Sequence, residues 1–402
     1  MNIWSEALAQ EEYVISCRRY MHENPELSDQ EDGTVAFILE QLRSFDVECY
    51  DVPQGGVMGF IEGSKPDKTV LLRADIDALP IQEDTMNNKQ PKVCVSKVPG
   101  VSHACGHDTH AAMLLGAARI LQSHRQEFAG RIVLYFERGE EHGHGDYYMP
   151  KYLQDNHIHI DGCWAMHNRV SLPTGTIALT PGGVYAGNAG FSVKILGENA
   201  LACGVAVVNG LNALRTNTVT PFEHVTLSCN SFQYENGVCS IWGTCRYYDF
   251  NKVGVPMREA MQRIITETVA AYGCTTEKPL VRIGGSRGAI NDATCYEIAK
   301  SAVTKALGAE CIRRTEPSMG AESFSVLATY YPSFYAALGA GNPEKGMDAN
   351  GHTPKHEPDE AAFKTGVAAT VAYALEFLAY DQPIPFEPFV GTIDEYLEAN
   401  RR

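Results

Sequence analysis

The sequence predicts an α/β protein: a doubly wound, mostly parallel sheet with a smaller α+β unit inserted into it. Three observations carry this. Apolar strand runs alternate with helical runs up to about residue 184. Those strand runs lead into Asp, Glu or His at one end, as the strands of open α/β sheets do beside a ligand. After the glycine-rich PGGVYAGNAG the pattern changes to strand, helix, strand, strand, helix.

Each element follows from local pattern. Ser5–Arg19 has helical spacing, with Leu8, Tyr13, Val14 and Ile15 on one side. The chain breaks at Asn24-Pro25, and Ser28 with Glu31 forms a capping-box pattern for a helix over Asp29–Ser44. Val47–Val52 and Val57–Glu62 read as short strands around Gly55-Gly56. Thr69–Arg73 (TVLLR) is an unbroken apolar run of the kind buried in parallel sheets. Asp75 and Asp77 follow it; they fit a turn or helix cap as well as a ligand position at the sheet edge. Val101–Ala118 (VSHACGHDTHAAMLLGAA) opens a helix, with Asp108 as its N-cap. Arg131–Phe136 (RIVLYF) is a strand that runs toward Glu140 and Glu141. Asp161–Met166 is another, with His167 at its end, and Gly175–Leu179 follows.

Phe191–Leu196, His224–Phe232 and Cys239–Tyr248 read as strands, and Ala202–Arg215 and Val255–Tyr272 as helices. With a final strand over Lys278–Ile283 this is a ferredoxin-like order. The domains are therefore 1–184 with 285–402, and an insert over 185–284. Asn291–Leu307, Ser333–Leu338 and a closing helix over Ala361–Tyr380 resume the α/β pattern. The tail from Asp381, with Pro383, Pro385 and Pro388, reads as an irregular strap.

Composition narrows the function. The chain is 44% hydrophobic and 20% charged, as globular proteins are, and its formal net charge is −16. That balance argues against nucleic acid or an anionic membrane as partner. No apolar run reads as a membrane span, and the acidic, mixed start is not a signal peptide. A cytoplasmic protein with reduced thiols is the expectation, its twelve cysteines being scattered.

The chemistry concentrates around HACGHD. Cys105 and His107 stand one residue apart, so a turning segment can aim thiolate and imidazole the same way, as Zn²⁺ or a similar ion requires. A buried free cysteine beside hydrogen-bonded histidines fits the same pair. Adjacent glutamates such as Glu140 and Glu141 can divide the work, one ligating a metal and the other acting as base; alone, such a pair is usually a solvated face.

The motifs HACGHDTHAAMLLGAARIL, LLRADIDALPIQE, the Glu140-Glu141 pair, His167 followed by LPTGTIAL, SMGAESFS, GHTPKHEPDE and RRYMHENPELS together resemble the amidohydrolase branch of the aminoacylase and carboxypeptidase-G superfamily. The resemblance implies a catalytic domain with an inserted lid and dimerisation domain, and two divalent ions, Zn²⁺ or Mn²⁺. The implied ligands are Cys105, which bridges, with His107, Glu141, His167 and His352. Glu140 would be the general base for a metal-bound water attacking the amide of an N-acyl amino acid or a related small amide. Asp77 would orient a ligand. A homodimer through the insert is also implied. A dipeptidase with the same chemistry, or a metal-binding relative without efficient hydrolysis, are the alternatives.

The sequence departs from that pattern in its insert. The family's glycine-rich segment with a histidine is missing after Lys194–Glu198, and no histidine occurs between Glu198 and His224. Gln233 stands at the family's asparagine position. Arg246 matches its arginine and is the candidate for a substrate carboxylate. Arg138 and Arg169 would add positive charge near the metals, favouring an acidic substrate.

Overall fold

The computed structural model describes residues 1–220, 222–277 and 287–401. The chain divides into two compact units. The first comprises Met1–Gly182, Asn291–Thr315 and Tyr330–Pro388. The second comprises Gly183–Ile290, Glu316–Thr329 and Phe389–Arg402, so it gathers two stretches besides the expected 185–284 insert. The expected strand over Lys278–Ile283 and the 284/285 boundary lie outside the described residues.

The first unit is built on an eight-stranded sheet. Its four central strands, in spatial order Arg131–Glu137, Thr69–Asp75, Gly162–Pro173 and Ser333–Gly341, run parallel. Glu48–Val52 and Gly56–Glu62 extend one side in antiparallel fashion. Every residue of Thr69–Asp75 and Ser333–Gly341 is buried, the signature of central strands covered on both faces. Val70, Leu72, Leu134, Trp164 and Leu338 share one core with helices His107–Ser123 and Phe363–Ala379.

The strand at His167 is longer than expected. Gly162–Pro173 continues because Ser333–Gly341 keeps pairing with it, to Gly341 opposite Pro173. His167 is therefore an interior strand residue. Since Ala165 pairs with Arg73, His167 stands level with Asp75 on the neighbouring strand.

Three local patterns resolve differently from expectation. The first helix is two, Ile3–Ala9 and Glu11–Glu23, parted at Gln10. The helix Asp32–Ser44 starts later than the capping box implied: Glu26 takes the cap, accepting from Gly33 N at 3.0 Å and Thr34 N at 2.7 Å. Asp108 is not the N-cap of His107–Ser123; Gly106 is, in a left-handed conformation at φ 94°. Asp108 instead receives Arg18 Nε at 2.9 Å and His22 Nδ1 at 2.8 Å, all three buried.

Among the described residues, Glu360–Ala379 alone has the length and apolarity of a membrane span, and 78% of that window is buried within the protein. The tail is not wholly irregular, because Ile393–Arg401 is helical.

In the second unit the order strand, helix, strand, strand, helix, strand is present. Its antiparallel sheet runs Thr275–Thr276, Gly187–Leu196, Val238–Tyr247, Val225–Glu235. Helices Ala200–Asn217 and Val255–Ala271 share its core through Cys203, Val207, Leu211, Met257, Met261 and Ile265, against Phe191, Val193, Ile241 and Cys245.

The buried Arg18–Asp108 pair makes a stability prediction. Arg18→Met leaves the Asp108 carboxylate, pressed well below its usual pKa range despite burial by Arg18 and the nearby imidazoles, without its guanidinium. Chemical denaturation should show a loss of about 3–5 kcal/mol.

Candidate metal centre

The predicted donors of the first unit come together. Cys105, His107 and His167 place ligand atoms within 4.8 Å of one another, and so do Cys105, Glu141 and His352. The two trios share the Cys105 sulfur. Glu140 joins a third such group, with His107 and Glu141.

The backbone makes this possible at Gly106. Its φ of 94° turns the chain between Cys105 and His107 as the helix begins. A Cβ there would stand 2.1 Å from Asn168 Nδ2, so glycine is required by space as well as by conformation. Asn168 Nδ2 donates to Cys105 O at 3.1 Å, tying that turn to the residue after His167.

Hydrogen bonds fix which nitrogen each imidazole offers. His107 Nδ1 donates to Asp77 Oδ1 at 2.9 Å, so Nε2 faces Glu141 Oε1, 3.9 Å away, and Asp75 Oδ2, 3.8 Å away. His167 Nδ1 donates to the carbonyl of Asn168 at 2.6 Å, leaving Nε2 toward Cys105 Sγ at 3.3 Å. A carboxylate or carbonyl behind one nitrogen, with the other presented, is the usual state of a metal-ligating histidine. Burial, with His110 nearby, holds His167 well below its ordinary pKa, so it is the neutral imidazole a cation needs.

His110 lies in the same cluster but differs. Its Nδ1 meets Asp75 Oδ1 at 2.5 Å, and its Nε2 accepts from Asn168 N at 3.0 Å. Both nitrogens are occupied, so His110 is a wedge behind the site although Asp75, His107 and His110 also form a compact donor group. Sequence reasoning missed His110, Asn168 and Ser28 as parts of this site. His110 had a signal: it falls one helical turn after His107, on the same helix face.

The remaining donors fit a cation. Burial pushes the Cys105 thiol up strongly, so a thiolate there needs positive charge beside it. Glu141 Oε1 is buried and has no hydrogen-bond partner, although His352 Nε2 stands 3.0 Å away. His352 is held at φ 60°, its amide donating to Ala104 O at 2.8 Å.

The loop carrying Glu140 is pinned by four of its backbone amides. Gly139 N donates to Glu31 Oε1 at 2.7 Å, Glu141 N to Asp77 Oδ2 at 3.0 Å, and His142 N to Ser28 Oγ at 3.2 Å. His144 N donates to Asp29 Oδ1 at 3.1 Å. The segment that looked like a capping box is thus a cradle for the glutamate loop.

Arg138 does not serve the site as expected: its guanidinium is committed to Asp32, at 2.8 Å. Arg169 is half-buried in its strand, opposite Gly339. Arg246 and Gln233 belong to the second unit, where register puts both on the sheet face away from its helices. Gln233 pairs with Ser240 and is exposed; Arg246 is half-buried with Nη1 unpartnered.

A sequence profile of peptidase family M20/M25/M40 matches residues 71–376, which hold the donors found above. The chain belongs to this family. Among M20 relatives, it is 32% identical over 387 residues to thermostable carboxypeptidase 2 of Saccharolobus solfataricus, covering 91% of this chain and 96% of that protein. It is 30% identical over 376 residues to an N-acetylcysteine deacetylase of Bacillus subtilis, covering 87% and 92%. A crystal structure described as a dinuclear metal-binding M20 peptidase of B. subtilis superposes with a TM-score of 0.78 at 29% identity, covering 92% of this chain and 99% of that one.

Glu31 makes a pH prediction. Burial, then the nearby Asp77, pushes its carboxyl up to about 7 from 4.5. The folded protein therefore holds a proton there that the unfolded chain has lost, and stability falls as pH rises from 4.5 to 7. Glu31→Gln keeps an oxygen for Gly139 N and removes that decline. Denaturation midpoints of variant and wild type should match near pH 4 and diverge, variant higher, by up to about 3 kcal/mol near pH 8.

Proposed function

We propose that the chain hydrolyses the amide bond of an N-acyl amino acid or a related small amide, using two divalent cations. As a member of the M20 family it is a metal-dependent hydrolase. The substrate class rests on relatives such as the N-acetylcysteine deacetylase. The observation that supports a two-cation site most is the pair of donor trios sharing one cysteine sulfur. In this reading Cys105 would belong to both sets of ligands, with His107 and His167 in one and Glu141 and His352 in the other. Thiolate and imidazole suit Zn²⁺, and the carboxylate also admits Mn²⁺.

When bound, such cations acidify water and polarise the scissile carbonyl. The chain's own groups do the rest. The Glu140 carboxylate takes a proton from the attacking water and delivers it to the departing nitrogen as the C–N bond breaks, giving a carboxylic acid and an amine. Asp77 keeps His107 in its ligating tautomer while also accepting from Glu141 N, so it sets base and ligand together. Arg246, with a buried and unpartnered Nη1, is the group we assign to the substrate carboxylate. The carboxypeptidase name of the S. solfataricus relative fits a dipeptide as the amide, cleaved by the same chemistry.

The test is a panel of N-acetyl and N-benzoyl amino acids and dipeptides, assayed with Zn²⁺ or Mn²⁺. Glu140→Gln should lower kcat by about 10²–10⁴-fold while its metal content stays that of wild type. Cys105→Ala should lose both ions. Equal inertness of wild type and Glu140→Gln, with metal bound in both, would leave a binding protein instead.

A further inference from the structure

The stretch 84–97, between the strand-end aspartates and HACGHD, carries no motif, yet it contains a buried lysine. The Lys92 side chain is 1% exposed. Its Nζ donates to Glu83 Oε1 at 2.7 Å and to the carbonyls of Pro354 at 2.8 Å and His356 at 2.9 Å. Three donors meet three acceptors, as a buried ammonium requires. Two of those acceptors lie in the loop that presents His352.

The loop is also held through its backbone, Asp84 N donating to Pro354 O at 3.0 Å, His356 N to Thr353 O at 3.1 Å and His352 N to Ala104 O at 2.8 Å, but among the described residues no side chain other than that of Lys92 ties both Pro354 and His356 to the buried charges around His22. At His352 the backbone is unusual. The residue sits in a left-handed conformation, and its side chain is half exposed. Glu83, the third acceptor, also receives Ser96 N at 2.6 Å and His22 Nε2 at 3.0 Å. Through His22 the chain of contacts reaches Asp108, beside His107. Lys92 thus connects the His352 loop to the same buried charges that anchor the helix bearing His107.

We infer that Lys92 is a positioning residue for His352: its ammonium fixes the loop so that His352 faces Glu141. The inference rests on the reading of His352 as a metal ligand. Burial opposes the ammonium and Glu83 supports it, so neutral replacements lose the clamp rather than mimic it.

The experiment uses protein stripped of metal. Hydrogen exchange over 349–357 and Zn²⁺ titration are compared for wild type, Lys92→Met, Lys92→Arg and His352→Ala. Lys92→Met should speed exchange in that loop. It should weaken the second Zn²⁺ by about 10–100-fold and leave the first unchanged, as loss of an outer partner does. Lys92→Arg should recover part of both effects, because it keeps a cation for the carbonyls. Unchanged exchange and two unchanged Zn²⁺ sites in Lys92→Met, beside a lost site in His352→Ala, would overturn the inference. Two intact sites in His352→Ala would instead remove the ligand assignment on which it rests. Should Lys92→Met not fold, Lys92→Gln, shorter and uncharged, should show the same losses and is read by the same criteria.

Discussion

The site depends on one left-handed residue. Gly106 lets the chain reverse between Cys105 and His107, so that a sulfur and an imidazole one residue apart reach the same space. A side chain at this position would collide with Asn168, and Asn168 in turn holds the carbonyl of Cys105. Because Asn168 follows His167 on a central strand, the turn and that strand are locked to each other. Three candidate ligands are then placed by backbone shape, without relying on the flexibility of long side chains.

Such a cluster puts many charges out of water, and most of those around the donors are matched. Arg73 meets Asp75 and Glu137, at 2.8 Å each, and Asp75 meets His110. On the other side of His107, Asp108 meets Arg18 and His22, and Glu83 meets His22 and Lys92. Unpaired, any of these ions would be strongly destabilising; paired and hydrogen-bonded, they hold the strand ends and the loops in one arrangement. This separates ligands from supports more sharply than distance does. His110 is nearer to Asp75 than His107 is, 2.5 Å against 3.8 Å, but both its nitrogens are already spoken for.

What the sequence made legible was what depends on neighbours in the chain. TVLLR and RIVLYF are strands because nothing but a buried sheet suits them. The acids and imidazoles beyond them could then be placed at one edge. Local patterns failed where distant partners outbid them. Ser28 and Glu31 have the spacing of a capping box, yet they reach Asp77 and Gly139, which lie 49 and 108 positions away. Asp108 has the position of an N-cap, yet Arg18 and His22 claim it. Arg138 looked like positive charge for the site until Asp32 took it. Lys92 sat in a stretch without pattern, and its role is visible only once the His352 loop folds onto it.

The departures from the family pattern now acquire a physical logic. Cys105, His107, Glu140, Glu141, His167 and His352 all fall in the first unit, as do Asp77, Ser28 and Asn168, which orient them. The altered residues of the insert, Gln233 and the stretch after Lys194–Glu198, fall in the second. Orientation of the donors is set by contacts inside the first unit, so the insert is free to change without disturbing them. Cation binding, as proposed, therefore rests on contacts within the first unit, and the altered stretches of the second unit take no part in orienting its donors.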